Sequence, residues 1–133
     1  MVGKDYHTNI MLDLECTSVN STKPVILQLA AVHFDINTGT ELDHMDGIIN
    51  SDSCKELGLR EDEATMKWVR VEIPQTLASS KTSRVSLHQA LNEFTSFINR
   101  SREATRKRFN LNASQLKYSQ PMIWGNGANA DNV

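Results

Sequence analysis

The chain has 133 residues, 39% hydrophobic and 23% charged, with a formal net charge of −2. That length suits one compact domain with a real hydrophobic core, and the composition is that of an ordinary globular protein. No apolar run is long enough to span a bilayer and no apolar stretch follows a basic N-terminus, so neither a membrane span nor a signal peptide is expected, and the cytoplasm is the expected location. Cys16 and Cys54 stand far apart without CxxC spacing, which argues against a disulfide scaffold or a zinc site.

The first predicted element is "NIMLDLE", where Ile10, Leu12 and Leu14 alternate with Met11, Asp13 and Glu15, the period of a strand. Pro24 suits a strand entrance, and "VILQLAAVHFD", Val25 to Asp35, is apolar enough for a central strand covered on both faces. "NTG", Asn37 to Gly39, supplies a turn, and "ELDHMDGIIN" reads as the returning strand of a hairpin. "EDEATMKWVRV" has helical character with acids in its first turn, whereas "PQTLASSKTSR" reads as a polar loop. "SLHQALNEFTSFINR" is the clearest helix. Ser86 and Gln89 form a capping box, and Leu87, Ala90, Leu91, Phe94 and Ile98 form an apolar stripe. "SQPMIWGNG" then gives a short strand, Pro121 to Trp124, running into a glycine turn, and "ANADNV" opens a further helix. Strands, then helices, then another strand indicate an α/β or α+β domain on a mixed sheet.

Charge is unevenly spread. Residues 1–63 hold twelve acids against four Lys/Arg, and residues 64–133 hold four against ten. "RSREATRKRFNLNASQLK", Arg100 to Lys117, carries six basic residues and one acid, Glu103. Such a stretch, centred on Arg106, Lys107 and Arg108, either contacts phosphates or is a solvated helix extension.

Asp13 and Glu15 pose the chemical question. Alternate residues of a strand share a face and sit about 6.6 Å apart, so their carboxylates can converge on one cation. Two carboxylates on a half-buried face repel each other and suffer desolvation unless they face solvent or hold something positive. Hard oxygen ligands of this kind suit Mg²⁺ or Mn²⁺, whereas period-two acids also mark a plain solvent-facing strand. At the other end, Gly125 to Ala130 fits the dinucleotide fingerprint G-x-G-x-x-G/A. That motif needs a second strand and an acid about 20 residues on, and only three residues follow. The other reading makes Asp131 a third acidic ligand at a helix start, or simply a helix cap.

Taken in order, "HTNIMLDLECTS", "PVILQLAAVHFD", "ATMKWV", "FTSFINR" and "WGNGANADNV" resemble the prophage exodeoxyribonuclease VIII-like exonucleases and the related exoribonuclease-like domain of the DEDD superfamily, over nearly all of residues 7–133. The resemblance implies a ribonuclease H-like fold and a two-metal exonuclease, Mg²⁺- or Mn²⁺-dependent, removing nucleotides 3′ to 5′ from DNA or RNA ends. Asp13 matches the acid that contacts both ions, Glu15 the ligand that also orients the attacking water, and Asp131 the acid of the second motif. Trp124, Gly125, Asn126 and Gly127 match the turn beside the active site. Trp68 matches a helical aromatic that either packs or stacks on a terminal base. Where the family often has Thr, a small residue and Gly after the Glu, this chain has Cys16, Thr17 and Ser18, of which Thr17 or Ser18 would present hydroxyls and backbone amides to a substrate. The family's third motif, with a fourth acid and a His or Tyr base, lies beyond Val133. The expectation is therefore a truncated, weakly active or inactive form, in which His7, His33, His44 and His88 have no catalytic role. His33 is expected to be a satisfied, half-buried histidine. The alternative is a non-catalytic nucleic-acid-binding module that uses residues 100–117.

Overall fold

The computed structural model describes residues 5–17 and 23–125. Strands β1 (Thr8–Cys16), β2 (Ile26–Phe34) and β3 (Glu41–Ile48) follow one another, each antiparallel to its predecessor. The β2–β3 turn is organised by Asp35, whose carboxylate accepts the Asn37 backbone N–H at 2.8 Å. Gly39, at φ +75°, supplies the left-handed residue that lets the chain reverse. The last described strand, β4 (Pro121–Gly125), lies parallel to β1, with Met11 opposite Trp124 and Leu12 opposite Gly125. Among the described residues the sheet order is β3-β2-β1-β4, a mixed α/β sheet of ribonuclease H-like type, as expected.

Helices α1 (Ser51–Glu56), α2 (Glu63–Glu72), α3 (Pro74–Thr82) and α4 (Leu87–Arg108) fill the connection between β3 and β4, which closes with a 3₁₀ segment, Ala113–Ser119. Asn50, Asp62 and Ser86 each cap their helix with a side-chain oxygen on an early backbone N–H. Two expectations change here. The stretch from Pro74 is helix rather than loop, because Pro74 occupies the first turn, where its missing N–H costs nothing, and Leu77 and Ser80 turn inward. The capping box at α4 is half made: Ser86 accepts from the Gln89 N–H, but the Gln89 amide donates to Glu93 at 3.2 Å.

The core lies between the helices and one face of the sheet. Ile10, Leu12, Leu27, Leu29 and Ala31 meet Val69 of α2 and Ala90 and Phe97 of α4. Phe97, absent from the expected stripe, is fully buried, whereas Leu91 within that stripe is 47% exposed. The inward line of α4 runs instead through Leu87, Ala90, Phe97, Ser101 and Thr105, since small polar residues let the helix approach the strand ends. There the Thr8 hydroxyl lies 3.1 Å from that of Thr105 and 2.7 Å from the Ser119 carbonyl. Strand β2 is not covered on both faces. Its residues alternate between buried and half-buried because, among the described residues, the helices occupy one side only.

Truncating Phe97 to Ala removes the largest fully buried side chain and is expected to lower unfolding free energy by about 3–5 kcal/mol. Leu91→Ala is expected to cost less than about 1 kcal/mol. Urea unfolding followed by circular dichroism compares the two.

Candidate active site

Strand β1 is an inner strand, paired on both sides, and its pleat divides its side chains cleanly. Ile10 and Leu12 enter the core, while Met11 and Asp13 are exposed on the opposite face, with Glu15 half-buried two residues further on. The register shifts between Glu15 and Cys16, a bulge that re-aims the strand where the acids sit. Across the sheet Asp13 stands opposite Ala30, and Ala30 opposite Asp46 of β3; in the next row Met11, Val32 and His44 align. These residues line a groove of about 390 Å³ whose floor is small and apolar and whose rim carries Asp13, Glu41, His44 and Asp46. The Asp46 carboxylate accepts the Gln28 amide at 2.7 Å. His44 and Asp46 were missed as neighbours of Asp13, although "HMD" shows the same period-two signature as "DLE".

Strand β4 brings the distant end of the chain to this face. Trp124, 42% exposed, lies beside Met11 and donates its indole N–H to Asn9 Oδ1 at 3.1 Å, which fixes the ring on the open side. Gly125 ends β4 level with Leu12, one residue before Asp13. Asn126, Gly127 and Asp131 lie outside the described residues, as does Ser18. Among the described residues no three His, Cys, Asp or Glu side chains gather in a metal-ligating cluster, so Asp13 and Glu15 stand as a pair.

A family model for the Rv2179c-like 3′–5′ exoribonuclease domain matches residues 8–133. The chain belongs to this family. It is thus a 3′–5′ exonuclease domain, a hydrolase with nucleic acid as its substrate. No curated protein matches the chain.

Other expected contacts of this exoribonuclease-like domain fall at different distances from the acids. Thr17 does not present its hydroxyl to substrate: it is buried, and both its backbone N–H and its hydroxyl donate to the Val25 carbonyl, at 2.9 and 3.3 Å. The bulge turns Thr17 inward to end the strand. Its carbonyl accepts the Asp62 N–H at 3.1 Å, which starts α2 beside the end of β1. Trp68 then lies six residues along, about 9 Å up the helix axis, and is 52% exposed, while Thr65, Met66 and Val69 take the core positions. This indole is left about half open rather than taken into the core.

Half of the basic residues in 100–117 are committed to ion pairs within the fold. Arg106 holds Glu103 through two hydrogen bonds, at 3.0 and 2.6 Å, and Arg108 reaches Asp35 at 2.9 Å. Lys107 is exposed. His33 is buried outright rather than half-buried; its Nε2 lies 3.4 Å from the Thr105 hydroxyl and its Nδ1 has no partner. Burial pushes its imidazole below the ordinary histidine range, so it is neutral at pH 7. No helix among the described residues is long and apolar enough to cross a membrane.

Burial would raise the Asp35 carboxyl, but the Asn37 N–H and the Arg108 guanidinium outweigh it and hold it below the usual carboxylate value of 3.8. A depressed folded value means that this stabilisation is complete above pH 3.8 and is lost as the pH falls through the lower, folded value. Asp43, held down first by its hydrogen bond from Arg100, adds acid sensitivity of the same sign. Asp35→Asn is therefore expected to be less stable at neutral pH and to lose less stability on acidification. Urea midpoints between about pH 3 and 7 measure both.

Proposed function

We propose that this domain is a divalent-metal-dependent 3′–5′ exonuclease that removes nucleotides from the ends of RNA or DNA strands on the open face of its sheet. The observation that carries the reading is the shared face of Asp13 and Glu15 on an inner strand, beside a parallel β4 that delivers Trp124 and Gly125 to the same level. The resemblance to prophage exodeoxyribonuclease VIII-like enzymes extends the substrate from RNA to DNA.

The donor set fits a hard cation. Two carboxylates about 6.6 Å apart at Cβ on one strand face leave room for an ion between their oxygens. Asp13 and Glu15 would hold it, with Asp131 as the third acid from the segment after β4. When bound, such an ion neutralises charge on the phosphodiester and lowers the pKa of the attacking water. Glu15, at the bulged strand end, orients that water. Trp124, its ring locked by Asn9, and the backbone from Gly125 through Asn126 and Gly127 shape the place where the terminal nucleotide rests. Trp68, exposed on α2 near the same strand end, offers a face on which a base stacks. Stacking and groove contacts are indifferent to base identity, which suits an enzyme that consumes a strand end.

Asp13→Asn is expected to reduce release of 3′-terminal nucleotides from a 5′-labelled oligoribonucleotide by at least about a hundredfold. The same change should abolish the calorimetric signal of Mn²⁺ binding while leaving the thermal midpoint within a few degrees. Unchanged cleavage with a folded Asp13→Asn protein would remove the proposed site.

A further inference from the structure

Helix α4 carries four arginines, and three are held by carboxylates: Arg100 by Asp43, Arg106 by Glu103 and Arg108 by Asp35. Arg102 has no ion pair among the described residues, and its Nε is buried without a hydrogen-bond partner. A guanidinium donor withdrawn from water and left unsatisfied is costly, and in native proteins such a group is normally met by a ligand, an ion or a water. Arg102 lines a concavity of about 210 Å³ between α4 and the 3₁₀ segment, together with Asn99, Glu103, Arg106, Leu116 and Ser119. Glu103 is not its partner: the Glu103 carboxylate is engaged by Arg106 and makes no hydrogen bond to Arg102 Nε. The charge left over in this hollow is positive, and Asn99 adds an amide donor at its wall.

The hollow has a fixed relation to the site on β1. Ser119, on its wall, accepts through its carbonyl from the Thr8 hydroxyl, and Thr8 begins the strand that carries Asp13 five residues later, about 17 Å away along the strand. Along β4 stand the exposed side chains of Met122 and Trp124, and the 3₁₀ segment itself carries the exposed Tyr118 with Lys117 above its ring. Cations interleaved with exposed rings are what a single strand of nucleic acid needs: phosphate neutralisation and sequence-tolerant stacking.

We infer that the Arg102 hollow binds a backbone phosphate of the substrate strand, about five stacked nucleotides from the end being cleaved. The inference rests on the proposed site at Asp13 only for that spacing; the phosphate contact itself is read by binding alone. Arg102 acts on affinity for long strands, not on chemistry.

Fluorescence anisotropy without divalent metal, using single-stranded oligoribonucleotides of about fifteen and about four nucleotides, tests it. Arg102→Gln is expected to weaken the longer strand about three- to tenfold and to reduce the slope of log K against log salt by about 0.7, one phosphate's worth for a single strand. Arg102→Lys, which keeps the charge, should recover part of the loss, and thermal melting should place both variants near the parent. An unchanged slope and affinity in folded Arg102→Gln overturns the inference, and so does an equal loss with the short strand, which cannot span the distance. Inorganic phosphate titrated against the parent protein separates the sources: competition only far above oligonucleotide concentrations supports a polynucleotide site, whereas tight phosphate binding lost in Arg102→Gln makes it a free-anion site and overturns the backbone reading. Because no cleavage is measured, failure of the Asp13 site leaves these outcomes readable.

Discussion

The parallel pairing of β1 with β4 is the constraint on which the rest of the molecule depends. It joins residues more than a hundred positions apart, and a parallel pair cannot close through a tight turn; it needs a long crossover. The four helices are that crossover, and they return the chain so that the Thr8 N–H meets the Gln120 carbonyl at 3.1 Å. Register follows from there. A slip of one residue would turn Trp124 into the helix layer and Ile123 out to solvent, so the burial of Ile123 against the core and the exposure of Trp124 specify the same alignment. The side chains that could serve a strand end are on one face because the core fixes which face is left.

That remaining face resolves the cost of placing two acids in an apolar strand. Had β2 and β1 been covered on both sides, Asp13 would need a cation to fold at all. With helices on one side only among the described residues, Asp13 stays hydrated while its neighbours Leu12 and Leu14 pack beneath it. Stability and the placement of the acids are thereby separated. The apolar face of β1 folds the domain, and the polar face is free to carry a charge pattern chosen for chemistry. The same division explains the groove: Ala30 and Val32, small and half-buried, make a floor that neither demands a covering layer nor fills the space beside Asp13.

Strand periodicity carried the legible part of the fold. The alternation in "NIMLDLE" gave the correct two faces of β1, and the turn at Asn37–Gly39 gave the hairpin. What was not legible in the helices has one main cause, which is that small polar residues can be core. Ser80 and Thr105 are buried with their hydroxyls donating to backbone carbonyls, Ser101 is buried because it is small enough to fit beneath the helix, and a hydrophobic count passes over all three. Missing them hid α3 and shifted the inward face of α4 from Leu91 to Phe97. The candidate site was legible as a pair of acids and a distant glycine turn. Thr17 was not, since the bulge at Cys16 reverses the side on which it points, and no local pattern announces a bulge. Asp131 lies outside the described residues.

Charge asymmetry along the chain is the feature most open to misreading. An acidic first half and a basic second half suggest a tail that seeks an external polyanion. Two of the pairings show instead that the halves answer each other: Asp43 of β3 is bound by Arg100, and Asp35 at the β2–β3 turn is bound by Arg108, each tying the strands to the long helix. Arg106 is spent locally on Glu103. Counting basic residues therefore overstates what the helix can offer a nucleic acid: of the six cations in residues 100–117, three are held in ion pairs by the fold. Among the described residues, Arg102, Lys107 and Lys117 are the cations of this stretch without an ion pair. A helix whose other arginines are all neutralised by its own protein makes the remaining one informative, because its Nε is buried without a partner among the described residues.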